Sequence, residues 1–138
     1  MKKRKFYFRT LVGAGLIAAA AAFPAFADNW IHQENGWVCK TADGYVQTGW
    51  YQDKNNGGKW YYLWPEAGNR LGCMQTGWLQ KDGKWYFFDT RSGSSGAMLT
   101  GWQWIDGKCY YLDPAAGGAM AISNTLLDGS RVGSDGAW

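Results

Sequence analysis

The side chains best equipped for chemistry in this chain are aromatic, and they recur at fixed spacing. Thr-Gly-Trp is found at 48–50, 76–78 and 100–102, and Gly-Lys-Trp-Tyr-Tyr or a close variant at 58–62, 83–87 and 107–111. One stretch, MQTGWLQKDGKWYFFDT, gathers five aromatic residues around a single Asp-Gly. Indole and phenol rings combine a large apolar area with an electron-rich face, so converging rings attract a cation while excluding water. Catalytic chemistry has little support by comparison. His32 is the one histidine available to a serine or cysteine nucleophile. No His-Glu-x-x-His, P-loop or dinucleotide fingerprint is present. Asp82, Asp106 and Asp128 each precede a glycine in turn sequences, where a raised carboxyl pKa is not expected. The residues read as a binding module, with no enzymatic site, no metal site and no cofactor.

The first 27 residues read as a secretory signal. Five basic residues without an acid are followed by seventeen apolar ones ending in Ala25-Phe26-Ala27. A basic start, an apolar middle and a small-x-small end are the parts of a cleaved export signal. The apolar run is short for a bilayer span, and Pro24 sits beside the cleavage site. Cleavage after Ala27 is the expectation, with retention as an N-terminal anchor the alternative; cleavage leaves residues 28–138 without a membrane segment and secreted to the cell surface or wall. It also removes the apparent basicity. The whole chain has net charge +3, whereas residues 28–138 hold nine basic against eleven acidic residues. A slightly acidic, Trp-rich chain lacks the basic patch that nucleic acid demands, and it can accommodate a cationic ligand.

Three cysteines, Cys39, Cys73 and Cys109, cannot all pair within one chain. Their spacing fits no zinc pattern, and they are read as small apolar fillers at repeat positions.

The elements that position the aromatics are hairpins. Asn35-Gly36, Asp82-Gly83 and Asp106-Gly107 are the dipeptides that accept positive φ at both central positions of a tight turn. QDKNNGG supplies a longer turn in the second copy. The flanking runs are rich in strand formers, and alternation puts Trp85 and Phe87 on one face with Tyr86 and Phe88 on the other. Four units begin at Trp30, Trp50, Trp78 and Trp102, each about 20–28 residues long, a period that signals a repeat architecture. One hairpin is marginal in water, but stacked hairpins can bury an aromatic face between neighbours. The expected fold is all-β, a solenoid of stacked hairpins with no helix in residues 28–138. A degenerate final copy, with Asp128-Gly129 as its turn and Gly136-Ala137-Trp138 replacing Gly-x-Met, serves as a cap.

Thr-Gly-Trp, then Asp-Gly-Lys-Trp-Tyr-Tyr or its variants, then Gly-x-Met, resembles the choline-binding, cell-wall-binding repeats of Gram-positive surface proteins. The resemblance covers residues 28–138. It implies a left-handed superhelix of hairpins whose aromatics enclose choline groups of wall teichoic or lipoteichoic acid. Carried over position by position, each cage takes the Trp of Thr-Gly-Trp, the first aromatic of Trp-Tyr-Tyr, and the third aromatic of the next unit. This implies Trp78, Trp85 and Tyr111 with Met98 as neighbour. A second cage is Trp50, Trp60 and Phe87 with Met74, and a third is Trp30, Trp37 and Tyr62. The fourth unit departs from the pattern: Cys109 stands at the Trp position and Gly133 at the closing one, so no cage is expected and Trp102 is structural. Tyr61, Tyr86 and Tyr110 are expected in the core. Two rival functions fit the same rings, a glucan- or other polysaccharide-binding repeat and an adhesin.

Overall fold

The computed structural model describes residues 30–41 and 43–138, so the expected signal segment lies outside the described residues. Four antiparallel hairpins follow one another. Strand β1 (Trp30–Gln33) pairs with β2 (Gly36–Cys39), and β3 (Gly49–Asp53) with β4 (Lys59–Leu63). Strand β5 (Gly77–Lys81) pairs with β6 (Lys84–Phe88), and β7 (Gly101–Ile105) with β8 (Lys108–Asp113). A two-residue strand β9 (Ala119–Met120) joins the β8 edge, and β10 (Asn124–Thr125) pairs with β11 (Arg131–Val132). The described residues contain no α-helix, only the short 3-10 turns Lys54–Asn56 and Pro114–Ala116.

Turn chemistry accounts for these hairpins. Asp82 and Gly83 have φ of 51° and 77°, and Asp106 and Gly107 of 51° and 83°. Both central residues are left-handed, which matches the turn to the twist of its strands. The first hairpin differs from expectation. Gln33 pairs with Gly36, so Glu34-Asn35 is the loop and Gly36 is already the first strand residue. The two longer turns share one construction that their sequences do not distinguish from loose linkers. Asp53 and Asp113 each accept a hydrogen bond from the backbone N–H two residues on, at 3.0 and 2.9 Å. Each 3-10 turn then closes on a left-handed glycine, Gly57 or Gly117. The glycine of Thr-Gly-Trp has its own reason. Gly49, Gly77 and Gly101 have φ of 78°, 75° and 78°, a left-handed entry into the strand that a side chain would strain.

The Gly-x-Met segments add a further rung to the second, third and fourth hairpins. Met74 bridges to Leu63, Met98 to Phe88, and Met120 pairs with Leu112. The residue after each Met donates its N–H to the carbonyl of Tyr62, Phe87 or Tyr111, at 2.8, 2.9 and 2.9 Å. Leu63, Phe88 and Leu112, the residues so covered, are all fully buried.

The chain divides into two compact units, the first ending at Gln75 and including Arg91–Ser94, the second formed by Thr76–Thr90 and Ser95–Trp138. In the first, Val38, Cys39, Tyr61, Tyr62 and Leu63 are buried, and polar groups tie the core together. The Trp30 indole N–H donates to Asp53 Oδ2 at 2.8 Å, and Asn56 Nδ2 donates to the Tyr61 hydroxyl at 3.0 Å. Burial pushes the Tyr61 hydroxyl up to about 12 and raises the Cys39 thiol, which Tyr51 hydrogen-bonds. In the second unit, Phe87, Ile105 and Leu112 form the core, with Trp78, Leu99, Tyr110 and Met120 packed against it. All three cysteines are buried free thiols, as expected of small apolar fillers.

Candidate functional site

The second unit holds an aromatic cavity of about 320 Å³ lined by Trp78, Trp85, Tyr110, Met120 and Asp135. Its size is at the low end of the roughly 300–1,000 Å³ typical of small-ligand pockets. Trp78 and Trp85 reach the same face because Trp78 pairs with Phe87 and Gln80 with Trp85 across β5–β6. Their rings are 6.1 Å apart and perpendicular at 90°. Tyr110, from β8, stands edge-on to Trp78 at 5.1 Å and 80°. Three ring planes thus converge from different directions, and the Met120 thioether adds a polarizable wall. Asp135 supplies negative charge. Its Oδ1 accepts from the Ala137 N–H at 3.0 Å, and its Oδ2 pairs with Lys108 Nζ at 3.4 Å. The hydrogen bond from Ala137, and next Lys108, hold its carboxyl below the ordinary carboxylate range. Such a space suits a compact cation with no hydrogen to donate, because ring faces and a nearby carboxylate need no directional partner.

Two of the expected lining residues, Trp78 and Trp85, are together here, and the closing ring is a different one. Tyr110 takes the place expected of Tyr111, and Met120 the place expected of Met98. The difference follows from strand alternation. Tyr111 lies directly opposite Trp102, with ring centroids 5.2 Å apart, and so faces the same way as its own hairpin's Trp. Tyr110, one residue earlier, must face the other way. Phe87 and Tyr62 obey the same rule, packing on the Trp of their own hairpins: Phe87 on Trp78 at 5.0 Å, Tyr62 on Trp50 at 5.2 Å. Met98 bridges to Phe88, and Met74 bridges to Leu63.

Trp30 belongs to the core of the first unit. It is buried, packed on Tyr61 at 4.8 Å and Tyr51 at 5.9 Å, with its N–H on Asp53. Trp37 instead stands edge-on to His32 at 5.0 Å. Tyr61 and Tyr51 are both rings of the second hairpin, so Trp30 is packed into the core where the third cage was expected to be open. Trp50 and Trp60 share one face of β3–β4, and both are partly exposed. Asp135 gave no sequence signal, since nothing in its spacing ties it to Trp78. Tyr110 and Met120 could have been found by applying the two-residue alternation across the hairpin.

The sequence of the second unit matches a family profile described as a cell wall binding repeat of the choline-binding type, at residues 76–91 and 100–115. Among solved structures, the choline binding domain of a Streptococcus pneumoniae protein is 33% identical, with a TM-score of 0.52. That match covers 67% of this chain and 94% of the domain. The chain belongs to the choline-binding, cell-wall-binding repeat family.

Larger members of this family contain comparable modules. Choline binding protein F of Streptococcus pneumoniae, solved in the presence of a peptidoglycan analogue, is 34% identical with a TM-score of 0.66. The match covers 80% of this chain and 32% of that one, so the present chain spans about a third of its length. A multimodular pneumococcal cell wall endolysin from phage Cp-1, complexed with choline, is 30% identical with a TM-score of 0.55, over 72% of this chain and 26% of its own. A search of curated proteins found no significant match.

Proposed function

We propose that this chain is a non-catalytic choline-binding module that is exported and holds choline groups of wall teichoic or lipoteichoic acid. In this reading residues 1–27 direct export and are removed. The observation that carries the reading is the convergence of Trp78, Trp85 and Tyr110 around one cavity beside Asp135. A trimethylammonium group has no N–H for a carboxylate to grip, and ring faces contribute about 0.5–2 kcal/mol each. One such site is weak. A repeat protein facing a polymer with many cholines gains avidity by engaging several at once, without any new contact. Met120 completes the wall, and the Asp135 carboxylate, exposed and paired with Lys108, adds a short-range, screened attraction for the cation.

Trp50 and Trp60, whose rings share a face of the second hairpin, are proposed as part of a further choline-binding surface. A polysaccharide ligand would instead want one flat ring flanked by free hydrogen-bonding side chains. The perpendicular arrangement of Trp78 and Trp85 favours the cation.

The test is a titration of intrinsic Trp fluorescence and melting temperature with choline chloride and, separately, with dextran. Choline at millimolar concentration is expected to change the fluorescence and raise the melting temperature, because a ligand of the folded state stabilises it by mass action. Dextran is expected to do neither. Saturable binding to dextran with no response to choline overturns the reading in favour of a carbohydrate-binding repeat.

A further inference from the structure

One cross-strand rung carries a single indole in every hairpin. The pairs are His32 with Trp37, Gln52 with Trp60, Gln80 with Trp85, and Trp104 with Cys109. In the first three the indole is on the second strand. In the fourth it has moved to the first strand, and the cysteine stands opposite. Residues directly opposed in an antiparallel pair project to the same face, so Trp104 offers its ring where an indole at position 109 would have offered one. Trp102, two residues earlier, shares that face.

A second substitution sits at the matching place. In the third hairpin's cavity one wall is Met120 of Gly118-Ala119-Met120, and the corresponding residue of Gly136-Ala137-Trp138 is Trp138. The backbone repeats along with the sequence. Trp138 N–H donates to the Cys109 carbonyl at 2.9 Å, as Met74 N–H donates to the Trp37 carbonyl at 2.8 Å. The Trp138 ring lies 6.4 Å from that of Trp102, at 71°. The Asp128 carboxylate accepts a hydrogen bond from the Ser130 N–H at 2.8 Å, which holds its carboxyl below the ordinary carboxylate range, with a smaller contribution from the Trp102 side chain. Trp104 and Trp138 remain 71% and 67% exposed, so neither ring is committed to the core.

We propose that Trp102, Trp104 and Trp138 form a second quaternary-ammonium site on the fourth hairpin, open on one side. It replaces the cage that Cys109 was expected to abolish. The inference rests on the reading that the cavity of Trp78, Trp85 and Tyr110 takes the same ligand class. The crossed ring planes of Trp102 and Trp138 favour a cation over a sugar. An open site is wetter than the cavity and binds more weakly. On a polymer it still adds a point of attachment.

The experiment titrates the full chain, ¹⁵N-labelled at its indoles, with choline chloride at constant ionic strength. The Nε1–H signals of Trp102, Trp104 and Trp138 are expected to move together and saturate, in the natural chain and equally in Trp85→Ala. Trp104→Gln, which restores the residue of the third hairpin at an exposed position, is expected to weaken that response about two- to fivefold. The Trp85 signal should keep its midpoint in that variant. A saturating Trp85 signal with Trp104 and Trp138 unmoved overturns this inference and leaves the cavity reading standing. Silence from every indole overturns the cavity reading, and this one with it.

Discussion

Tyr110 meets Trp78 edge-on at 5.1 Å, while its neighbour Tyr111 meets Trp102 at 5.2 Å on the opposite face of β8. One residue of register therefore decides which hairpin each phenol serves. The Tyr-Tyr pair faces two ways at once, with Tyr110 toward the third hairpin's cavity and Tyr111 toward its own hairpin's Trp.

This relationship makes Tyr110 the sharper probe of the cavity. Tyr110→Ala is expected to weaken choline binding at the Trp85 signal by between about twofold and thirtyfold, the range one ring contributes. Tyr111→Ala should leave that midpoint unchanged. Because Tyr110 also packs on the core of the second unit, both variants are first checked for folding by circular dichroism. An equal loss in two folded variants means that the alternation does not govern the site.

Trp85→Ala should separate binding from stability. Trp85 lines the cavity and is 39% exposed, whereas Trp78 packs against Phe87 and the buried core. Retention on a choline matrix is expected to fall in Trp85→Ala with a small change in urea midpoint. Trp78→Ala should lose both, at about 3–5 kcal/mol of stability if its site collapses poorly. A large stability loss in Trp85→Ala would assign that ring to the core instead.

Much of this architecture is legible in the amino-acid sequence. The Asp-Gly turns, the strand alternation and the period of the Thr-Gly-Trp copies are local properties, and four hairpins follow from them. The 3-10 turns after Asp53 and Asp113 are less legible, because Lys-Asn-Asn and Pro-Ala-Ala carry no shared pattern beyond the capping Asp and the double glycine. Trp30 shows a different limit. Its spacing to Trp37 matches that of Trp78 to Trp85, yet its indole N–H finds the buried Asp53, a residue 23 positions away that no local pattern connects to it. Repeat position identifies which residues correspond, but burial decides which of them remain open to a ligand.

Asp53 accordingly has two duties that one substitution removes. It accepts the Trp30 indole N–H and caps the 3-10 turn through the Asn55 N–H. Asp53→Ala leaves a buried donor unpaired and the turn uncapped, for an expected loss of about 1–3 kcal/mol. Asp53→Asn retains an acceptor for only one of the two donors, because its Nδ2 stands where the second carboxylate oxygen was, and should recover only part of it. The comparison is made by urea unfolding of the two variants. Equal losses would mean that one retained acceptor contributes nothing without the second.

The last prediction concerns pH and Asp135. Its hydrogen bond from Ala137 and its pairing with Lys108 depress the folded-state pKa below the unfolded value. A depressed carboxyl contributes its effect above the unfolded pKa and loses it as pH falls through the folded one. The charge beside the cavity therefore persists below the usual Asp value of about 3.9. Choline affinity at the Trp85 signal should be flat from about pH 8 to 5 and decline only under that value, with the fold checked at each step. Asp135→Asn should bind choline more weakly at neutral pH and lose the acidic decline. The group is exposed, so salt screens its attraction and the effect of the substitution should shrink as ionic strength rises. A decline already complete at pH 5, or one unchanged in Asp135→Asn, would show that another group carries the pH dependence.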